Sequence, residues 1–200
     1  MSERKRAEEA LRASEKRTEV YQRFLADATE LLAAALEYEA TFEKIARLCV
    51  PKLADWCIVD LVEDERISQV AAAHIDPEKE ALARDLGRRL PWQPRLDRGV
   101  AHVVRTGRSE IYPEIDDPTW LAEALGAEHP EIVRQLGAVS YMCVPLHARG
   151  RVFGALSFLR ADSGKRYGEE ELAQAEELAR RAGLSIDNAR LYLESQQAVR

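Results

Sequence analysis

Cysteine, aromatic residues and long apolar runs are all scarce in this sequence of 200 residues. The three cysteines, Cys49, Cys57 and Cys143, form no CxxC pair and no cluster with histidine, so they indicate neither a disulfide framework nor a zinc site. Their apolar neighbours favour three small buried hydrophobes. The longest stretch without an acidic residue, lysine or arginine, from Gln135 to Ala148, is shorter than the roughly 18 apolar residues of a membrane span. Since the first residues also lack an apolar signal-peptide segment, we expect a cytoplasmic protein, or the cytoplasmic part of a larger one.

An excess of positive charge is also missing. The chain has 29 Lys and Arg against 35 Asp and Glu, a formal net charge of −6. Nucleic acids and anionic membranes reward clustered basic residues, so this balance argues against both as the main partner. The 46% of hydrophobic residues is enough for a core, and the length fits one domain with an appendage.

Motifs of known catalytic machinery are absent as well. The sequence contains no GxSxG elbow, no HExxH and no GxGxxG. Gly164 and Lys165 are followed by Arg166, where a P-loop requires Ser or Thr. The four histidines are far apart in the sequence: His74, His102, His129 and His147. These observations predict a chain without catalytic residues of its own.

Two polar candidates stand beside predicted turns. Asp116 and Asp117 precede Pro118, which favours a helix N-terminal cap over a cation site or an acid-base pair. His147 ends a predicted strand next to a turn, which favours an exposed polar strand end over metal or haem ligation. We therefore assign no metal site, and the residues identify no particular cofactor.

The first 23 residues differ from the rest in composition. They carry seven Lys and Arg and five Asp and Glu, with neither Gly nor Pro, which is typical of a solvated helix. A seam in steps of three and four, the a/d spacing of a coiled coil, runs through Leu11, Ser14, Thr18, Tyr21, Leu25, Ala28, Leu32 and Ala35. A second apolar row that begins at Phe24 predicts packing on a globular body from there onward.

The middle of the chain alternates between helical and strand-like periods. The predicted helices are Glu39 to Leu53, loosened at its end by Pro51, then Pro77 to Leu90, Gly99 to Thr106 with Gly107 after its end, and two short ones within Asp116 to Leu136. The predicted strands are Asp55 to Val62, Arg66 to Ile75, Ser109 to Tyr112, Ala138 to His147 and Arg151 to Arg160. Gly154 inside the last strand predicts close approach of another backbone or a ligand.

A long helix is predicted from Gly168 to the end, with three-four spacing through Leu172, Ala175, Ala179, Ala182, Ile186, Ala189 and Leu193. Two terminal helices that both carry a heptad seam indicate an oligomer. We expect a homodimer whose contacts include Leu11, Tyr21, Leu25, Ala182, Ile186, Ala189 and Leu193.

A small-molecule pocket is the other candidate site. Large amphipathic side chains and small residues share the middle segment and the paired strands, as in a cavity over an antiparallel sheet roofed by short helices. The predicted lining is Trp92, Tyr112, Trp120, Tyr141, Cys143 and Ser157. The alternative is that these side chains fill the core.

The motifs in this order resemble a GAF domain. They are RTGR at 105–108, Val144-Pro145-Leu146, GRVFGAL at 150–156 and DNARLY at 187–192. The opening segment, 3–17, resembles the signalling helices that join PAS and GAF modules in sensor histidine kinases and related phosphatases. The resemblance implies an α+β fold: an antiparallel sheet with both terminal helices on one face and the ligand pocket, where one exists, on the other. It divides the chain into a signalling helix (1–23), a GAF domain (24–187) and an exit helix toward an output domain (188–200).

Several GAF ligand signatures are missing. We find no counterpart of the NKFDE set of cyclic-nucleotide-binding members, and no cysteine has the adjacent histidine common in bilin-binding members. For haem, only His74 and His147 are candidate axial ligands. The sequence holds no transmitter histidine box, nucleotide-binding box or phosphatase motif, so a catalytic output is expected outside these residues.

Three functional hypotheses follow from the resemblance. The first is a non-catalytic sensory or relay domain that binds a small ligand or responds to a partner, and that acts through its terminal helices. The second is a ligand-free dimerising module between PAS and kinase or phosphatase domains. The third is an enzyme of the methionine sulfoxide reductase type, which requires nucleophilic cysteines in the pocket.

Overall fold

Five antiparallel strands form one sheet in the order β2-β1-β5-β4-β3. The computed structural model describes residues 3–33, 38–63, 66–89, 97–117, 119, 121–122 and 134–198. The helices are α1 (Glu3–Ala33), α2 (Tyr38–Cys49), α3 (Pro77–Arg89), α4 (Gly99–Thr106) and α5 (Glu169–Ala198). The strands are β1 (Trp56–Glu63), β2 (Arg66–His74), β3 (Glu110–Tyr112), β4 (Ser140–Ala148) and β5 (Arg151–Arg160). The predicted α+β class, with a five-stranded antiparallel sheet and helices around it, is confirmed.

The β4–β5 hairpin is closed by a two-residue turn. Ala148 pairs with Arg151, and the residues between them, Arg149 and Gly150, have φ angles of 51° and 78°. Two positive φ angles are the geometry of a type I′ turn, which matches the right-handed twist of the strands. Gly150 adopts this conformation at no steric cost.

The sheet separates two apolar cores because neighbouring residues of a strand point to opposite faces. On what we call the helix face, Cys57, Val59 and Leu61 of β1 pack with residues of α1, α2 and α5. On the opposite face, which we call the pocket face, Trp56 and Ile58 of the same strand pack beneath α4 and residues 121–122. This arrangement places both long helices on one face, as expected.

Helix α5 crosses β4 at very short range, where it has a glycine. A Cβ atom on Gly183 would lie 2.5 Å from the carbonyl oxygen of His147. Gly154 has the same role within the sheet, since a Cβ there would overlap the carbonyl oxygen of Asp60. The close approach of another backbone predicted for Gly154 is therefore confirmed.

Helix α1 lies beside α5 and runs parallel to it. The Tyr21 hydroxyl donates to the carbonyl of Gln174 (3.1 Å), and the Ser185 hydroxyl donates to the carbonyl of Leu32 (2.8 Å). The two contacts are eleven residues apart on both helices, and they follow in the same order along the chain. The two helices therefore run in the same direction. The N-terminal half of α1 extends past the start of α5, and the C-terminal part of α5 extends past the end of α1.

Most of the residues predicted as dimer contacts pack within a single chain. Leu25, Ala182 and Ile186 are at most 4% exposed and lie in the core on the helix face of a single chain. Ala189 is also buried, and Tyr21 is partly buried against the same core. Their seam is real, but it is filled by the chain's own α1–α5 packing. Of the predicted set, Leu11 (60% exposed) and Leu193 (37% exposed) are the exposed members, and Tyr21 is partly exposed.

Helix α2 ends earlier than predicted. It stops at Cys49 rather than Leu53, because Pro51 has no N–H for the helical ladder and disfavours helical backbone at Val50. The predictions for α4 and β5 agree with the structure residue for residue, and Gly107 ends α4 with a φ of 66°. The two short helices predicted within 116–136 fall largely outside the described residues.

Candidate functional site

Three of the predicted pocket residues meet at the centre of the pocket face. Cys143 on β4 is the cross-strand partner of Ser157 on β5, and Tyr141 lies two residues before Cys143 on the same face. The oxygen atoms of Tyr141 and Ser157 are 3.3 Å apart, and the Ser157 hydroxyl donates to the Cys143 sulfur at 3.6 Å. All three are completely buried. They form a hydrogen-bonded group within the sheet, which we call the Tyr-Ser-Cys group.

Burial keeps this group neutral. Desolvation raises the pKa of Tyr141 well above its usual value and that of Cys143 to about 12. Both groups are therefore protonated at neutral pH, and Cys143 is a weak hydrogen-bonding partner rather than a nucleophilic thiolate. Cys49 and Cys57 are buried on the helix face, where desolvation also raises the pKa of Cys57.

Tyr112 extends the group toward the edge of the sheet. It pairs with Tyr141 in the β3–β4 register, and the two ring centroids are 6.2 Å apart. Tyr112 is only partly buried, so an incoming molecule can reach it. The structure therefore brings together Tyr112, Tyr141, Cys143 and Ser157. The predicted partners Trp92 and Trp120 lie outside the described residues.

Asp60 is a polar residue of the pocket face that the sequence analysis missed. It follows Trp56 and Ile58 in the alternation of β1, is 9% exposed, and makes no hydrogen bond or ion pair with any part of the chain that the structure describes. Burial raises its pKa from 3.8 to about 7. The signal was present, because a carboxylate interrupts the apolar run DWCIVDLV at a position that alternation turns inward.

Glu110 on β3 is a second such residue, and it positions α4. Its carboxylate accepts the backbone N–H of Gly99 at 2.6 Å and lies 3.7 Å from Nε2 of His102. Burial raises the pKa of Glu110, although Gly99 and His102 oppose that change. The pocket face thus combines two carboxyl groups, two phenols, a hydroxyl and a thiol; Glu110 and Tyr112 are partly exposed, whereas Tyr141, Cys143 and Ser157 are fully buried.

Of the two candidate haem ligands, His74 lies on the pocket face as the cross-strand partner of Trp56, and His147 lies outside that face. His74 is buried against Trp56, with ring centroids 4.3 Å apart, and its Nδ1 accepts the backbone N–H of Asp76 at 2.9 Å. Its Nε2 is 3.2 Å from a carboxylate oxygen of Asp162, at an angle that makes no hydrogen bond. His147 is exposed at the end of β4.

Asp117 has the geometry of a helix cap, the interpretation favoured by its position before Pro118. One of its carboxylate oxygens accepts the backbone N–H of Thr119 at 2.8 Å, and the other accepts the Thr119 hydroxyl at 2.5 Å. Within the described ranges, no group of three or more His, Cys, Asp or Glu side chains is placed to hold a metal ion. Nor is any described helix both long and apolar enough to cross a membrane.

Asp187 connects the β4–β5 turn to α5. Its carboxylate accepts from Nε of Arg149 in the turn at 2.6 Å and from Arg190 on the helix at 2.9 Å. Burial alone would raise the pKa of Asp187, but the two guanidinium groups outweigh it and lower that pKa. This link joins the β4–β5 hairpin to α5.

Solved structures with the same fold come from several signalling and enzymatic proteins. The GAF domain of a phosphoenolpyruvate-protein phosphotransferase from Coxiella burnetii is 18% identical, with a TM-score of 0.64 over 86% of this chain and 95% of that one. A domain of a putative two-component sensor histidine kinase from Sinorhizobium meliloti 1021 is 22% identical, with a TM-score of 0.52 over 80% and 94%. The free methionine-R-sulfoxide reductase from Neisseria meningitidis is 16% identical, with a TM-score of 0.62 over 86% and 91%. At these identities the likeness concerns the fold.

No curated protein matches this chain in sequence. The family comparison is decisive, because the GAF domain family matches residues 37–186. That range contains the whole sheet, both faces just described and the first half of α5. The resemblance in the sequence motifs, the five-stranded sheet and the family match agree, and the chain belongs to the GAF domain family.

Proposed function

We propose that this chain is a non-catalytic sensory or relay module: a small molecule on the pocket face, or a partner, changes the arrangement of α1 and α5, and α5 passes the change to an output module. In this proposal residues 1–23 are the signalling helix, 24–187 the sensory domain and 188–200 the exit helix. The burial of all three cysteines, and the raised pKa values of Cys57 and Cys143, support a non-catalytic role.

The observation that carries the proposal is the alternation of β4 and β5 between the two faces. Tyr141 and Cys143 face the pocket side. Met142 and Val144, which alternate with them along β4, belong to the core beneath α5. Ser157 and Phe158 on β5 divide in the same way. Close-packed cores transmit displacement, so a ligand that moves these strands also moves the surface on which α5 rests.

The α1–α5 pair is built to carry such a movement along the molecule. Arg181 donates to the Thr29 hydroxyl oxygen at 2.7 Å, in addition to the bonds of Tyr21 and Ser185 described above. Because the helices are parallel and offset, α1 extends beyond the pair at one end and α5 at the other. A ligand shifts this arrangement only if it binds one helix position better than the other.

A homodimer is part of the proposal. Residues 4–9 and 11–20 of α1 are exposed, and an isolated helix of this length is marginal in water. The seam that packs on α5 continues toward the N-terminus through Thr18, Ser14 and Leu11, where α5 does not reach. A second copy of α1 is the occupant that this continuation supports best.

Native mass spectrometry of the purified chain tests the ligand step. We expect the wild type to retain a bound small molecule and Tyr112→Ala to lose it, because Tyr112 is the accessible member of the pocket face. Tyr192→Ala is the matched control, since Tyr192 is 52% exposed on α5. Hydrogen exchange of α5 should also differ between the loaded chain and the chain stripped of ligand.

The ligand-free dimerising module is the second candidate. It is favoured by the Tyr-Ser-Cys group, whose members are fully buried and hydrogen-bonded to one another as in a filled core. This candidate predicts a wild-type mass equal to the bare chain and hydrogen exchange of α5 that no extract of small molecules changes. Such a result would contradict the sensory proposal.

A further inference from the structure

We propose a second binding site on the helix face: a groove between the N-terminal half of α1 and the start of α5 that takes a small organic anion, a carboxylate or phosphate group on an apolar body. The groove encloses about 680 Å³. Its cations are Lys16, Arg17, Lys52, Arg160 and Lys165. We call it the basic groove. It lies across the sheet from the pocket face and does not depend on the function proposed above.

Charge is the first argument. Two of the five cations already lie near a carboxylate, Lys52 at 3.5 Å from Asp27 and Arg160 at 3.5 Å from Asp55. The other three, Lys16, Arg17 and Lys165, stand against Glu170 and Glu171 in a chain whose net charge is −6. One of these carboxylates is already engaged, since Glu171 accepts the backbone N–H of Gly168 at 2.9 Å at the start of α5. Clustered cations with too few partners raise the local concentration of anions.

Arg160 is the second and stronger argument. It is 5% exposed, lines the groove from the end of β5, and its Nε has no hydrogen-bond partner among the described residues. Its contact with Asp55 is long, with 3.5 Å between Nη1 and Oδ1. A buried guanidinium is costly unless its charge is balanced, and an anion in the groove beside Arg160 would help to balance it.

Asp55 cannot meet this need alone because it serves the loop after β5. Its Oδ2 accepts the backbone N–H of Ala161 (2.7 Å) and both the backbone N–H (2.9 Å) and the hydroxyl (2.7 Å) of Ser163. Burial would raise the pKa of Asp55, but these bonds, helped by Arg160, lower it. Oδ2 is therefore committed to the loop, and only Oδ1 contacts Arg160, at the long distance of 3.5 Å.

The apolar part of the ligand follows from the rest of the lining. Val20, Tyr21, Phe24 and Leu53 also line the groove, and Val20 is 62% exposed. The Tyr21 ring is fixed by its hydrogen bond to α5, so the floor is preformed. Pockets for small molecules have volumes of about 300–1,000 Å³ and combine an apolar lining with a few polar anchors. An amphipathic anion of low molecular mass fits this description.

A ligand at this position would contact both helices of the α1–α5 pair directly. Lys16, Arg17 and Tyr21 belong to α1, Gln174 belongs to α5, and Arg160 belongs to the sheet between the two faces. Binding would therefore fasten α1 to the start of α5. A ligand at this site would therefore act on the position of α1 without any change on the pocket face.

Calorimetric titration of the full chain with octyl phosphate, below its micelle concentration, tests the proposal. We expect saturable binding of one molecule per chain, weakened by salt. Arg160→Met should lower the affinity at least about tenfold, because charge-assisted hydrogen bonds are the strong ones. Arg17→Gln combined with Lys165→Gln should weaken it a few-fold, and this exposed pair provides a test if Arg160→Met does not fold. Lys44→Gln, an exposed lysine of α2 outside the groove, is the matched control and should change nothing.

Three results would overturn the proposal. The first is an unchanged affinity in folded Arg160→Met or, if that variant does not fold, in the Arg17 and Lys165 pair. The second is binding of neutral octanol as tight as that of octyl phosphate, which would remove the role of charge. The third is equal affinity for inorganic phosphate, which would remove the role of the apolar floor. Asp60→Asn should leave octyl phosphate binding unchanged, so this site and the pocket face are tested separately.

Discussion

Asp60 carries a carboxyl group that is buried in β1 and has no partner among the described residues. Its pKa of about 7 in the folded protein lies above the ordinary value of 3.8. Between these two pH values the unfolded chain has lost a proton that the folded chain keeps. The free energy of unfolding must therefore fall as the pH rises from about 4 to about 7, and this contribution is constant above that.

We predict that Asp60→Asn is increasingly more stable, relative to the wild type, as the pH rises from 5 to 8. The amide removes the cost of ionising a buried carboxyl, which is on the order of a few kcal/mol for a shift of this size. Urea unfolding at several pH values measures the difference between the two proteins. Asp116→Asn, at an exposed position, should show no such trend. A constant difference between wild type and Asp60→Asn would mean that Asp60 titrates normally.

At the scale of elements, the crossing of α5 over β4 depends on the missing side chain of Gly183. Gly183→Ala gains helix propensity of up to about 1 kcal/mol, but its methyl group meets the backbone of His147, which cannot rotate away. We predict a net loss of about 1–3 kcal/mol in the free energy of unfolding, the usual cost of overpacking. Asn188→Ala, on an exposed position of the same helix, should be neutral or slightly stabilising. A stabilised Gly183→Ala protein would show that α5 can lift from β4 at little cost.

The link between the β4–β5 turn and α5 gives a further prediction. Asp187→Asn should lower the free energy of unfolding by about 1–3 kcal/mol, because it removes hydrogen bonds to two guanidinium groups. The wild-type contribution is present near neutral pH and is lost as the pH falls through the lowered folded pKa, so the penalty should shrink in acid. A double-mutant cycle with Arg149→Gln measures the coupling between turn and helix. If the two substitutions are additive, the turn and α5 are not joined through this pair.

The elements also show what a sequence can and cannot predict. Helix α4 and strand β5 were predicted to the residue. Gly107 ends α4, and the Arg149-Gly150 turn fixes the start of β5, so both bounds depend on local chemistry. The apolar seam of α1 was predicted too, but not that α5 of the same chain packs against it. Leu25 and Leu11 have the same spacing and chemistry, and only the point where α5 begins decides which of them is buried. Among the described residues, the unpartnered carboxyl of Asp60 and the unpartnered Nε of Arg160 likewise depend on neighbours far away in the chain.

The whole molecule has its two long helices on one face of the sheet, with α1 extending past α5 at one end and α5 past α1 at the other. This offset leaves two sites that read the helix pair from different sides. In our proposals, a ligand on the pocket face would act through the strands beneath α5, and a ligand in the basic groove would act on α1 directly. If both proposals hold, ligands at the two sites are coupled through the α1–α5 arrangement, and each must change the affinity of the other by the same factor.

The same offset predicts how the chain associates. Leu11 lies on the α1 seam at a point that α5 does not reach. In a homodimer, α1 of the second copy would cover this side chain. We predict that Leu11→Asp shifts the mass measured by light scattering from dimer toward monomer, because a buried charge at an a or d position opposes pairing. Ile75→Asp is the matched control, since Ile75 is an equally open apolar residue (71% exposed) far from the seam. Removal of residues 1–17 should have the same effect as Leu11→Asp. An undiminished dimer in both variants would place the contact on α5 instead, where Leu184, Tyr192 and Leu193 are exposed.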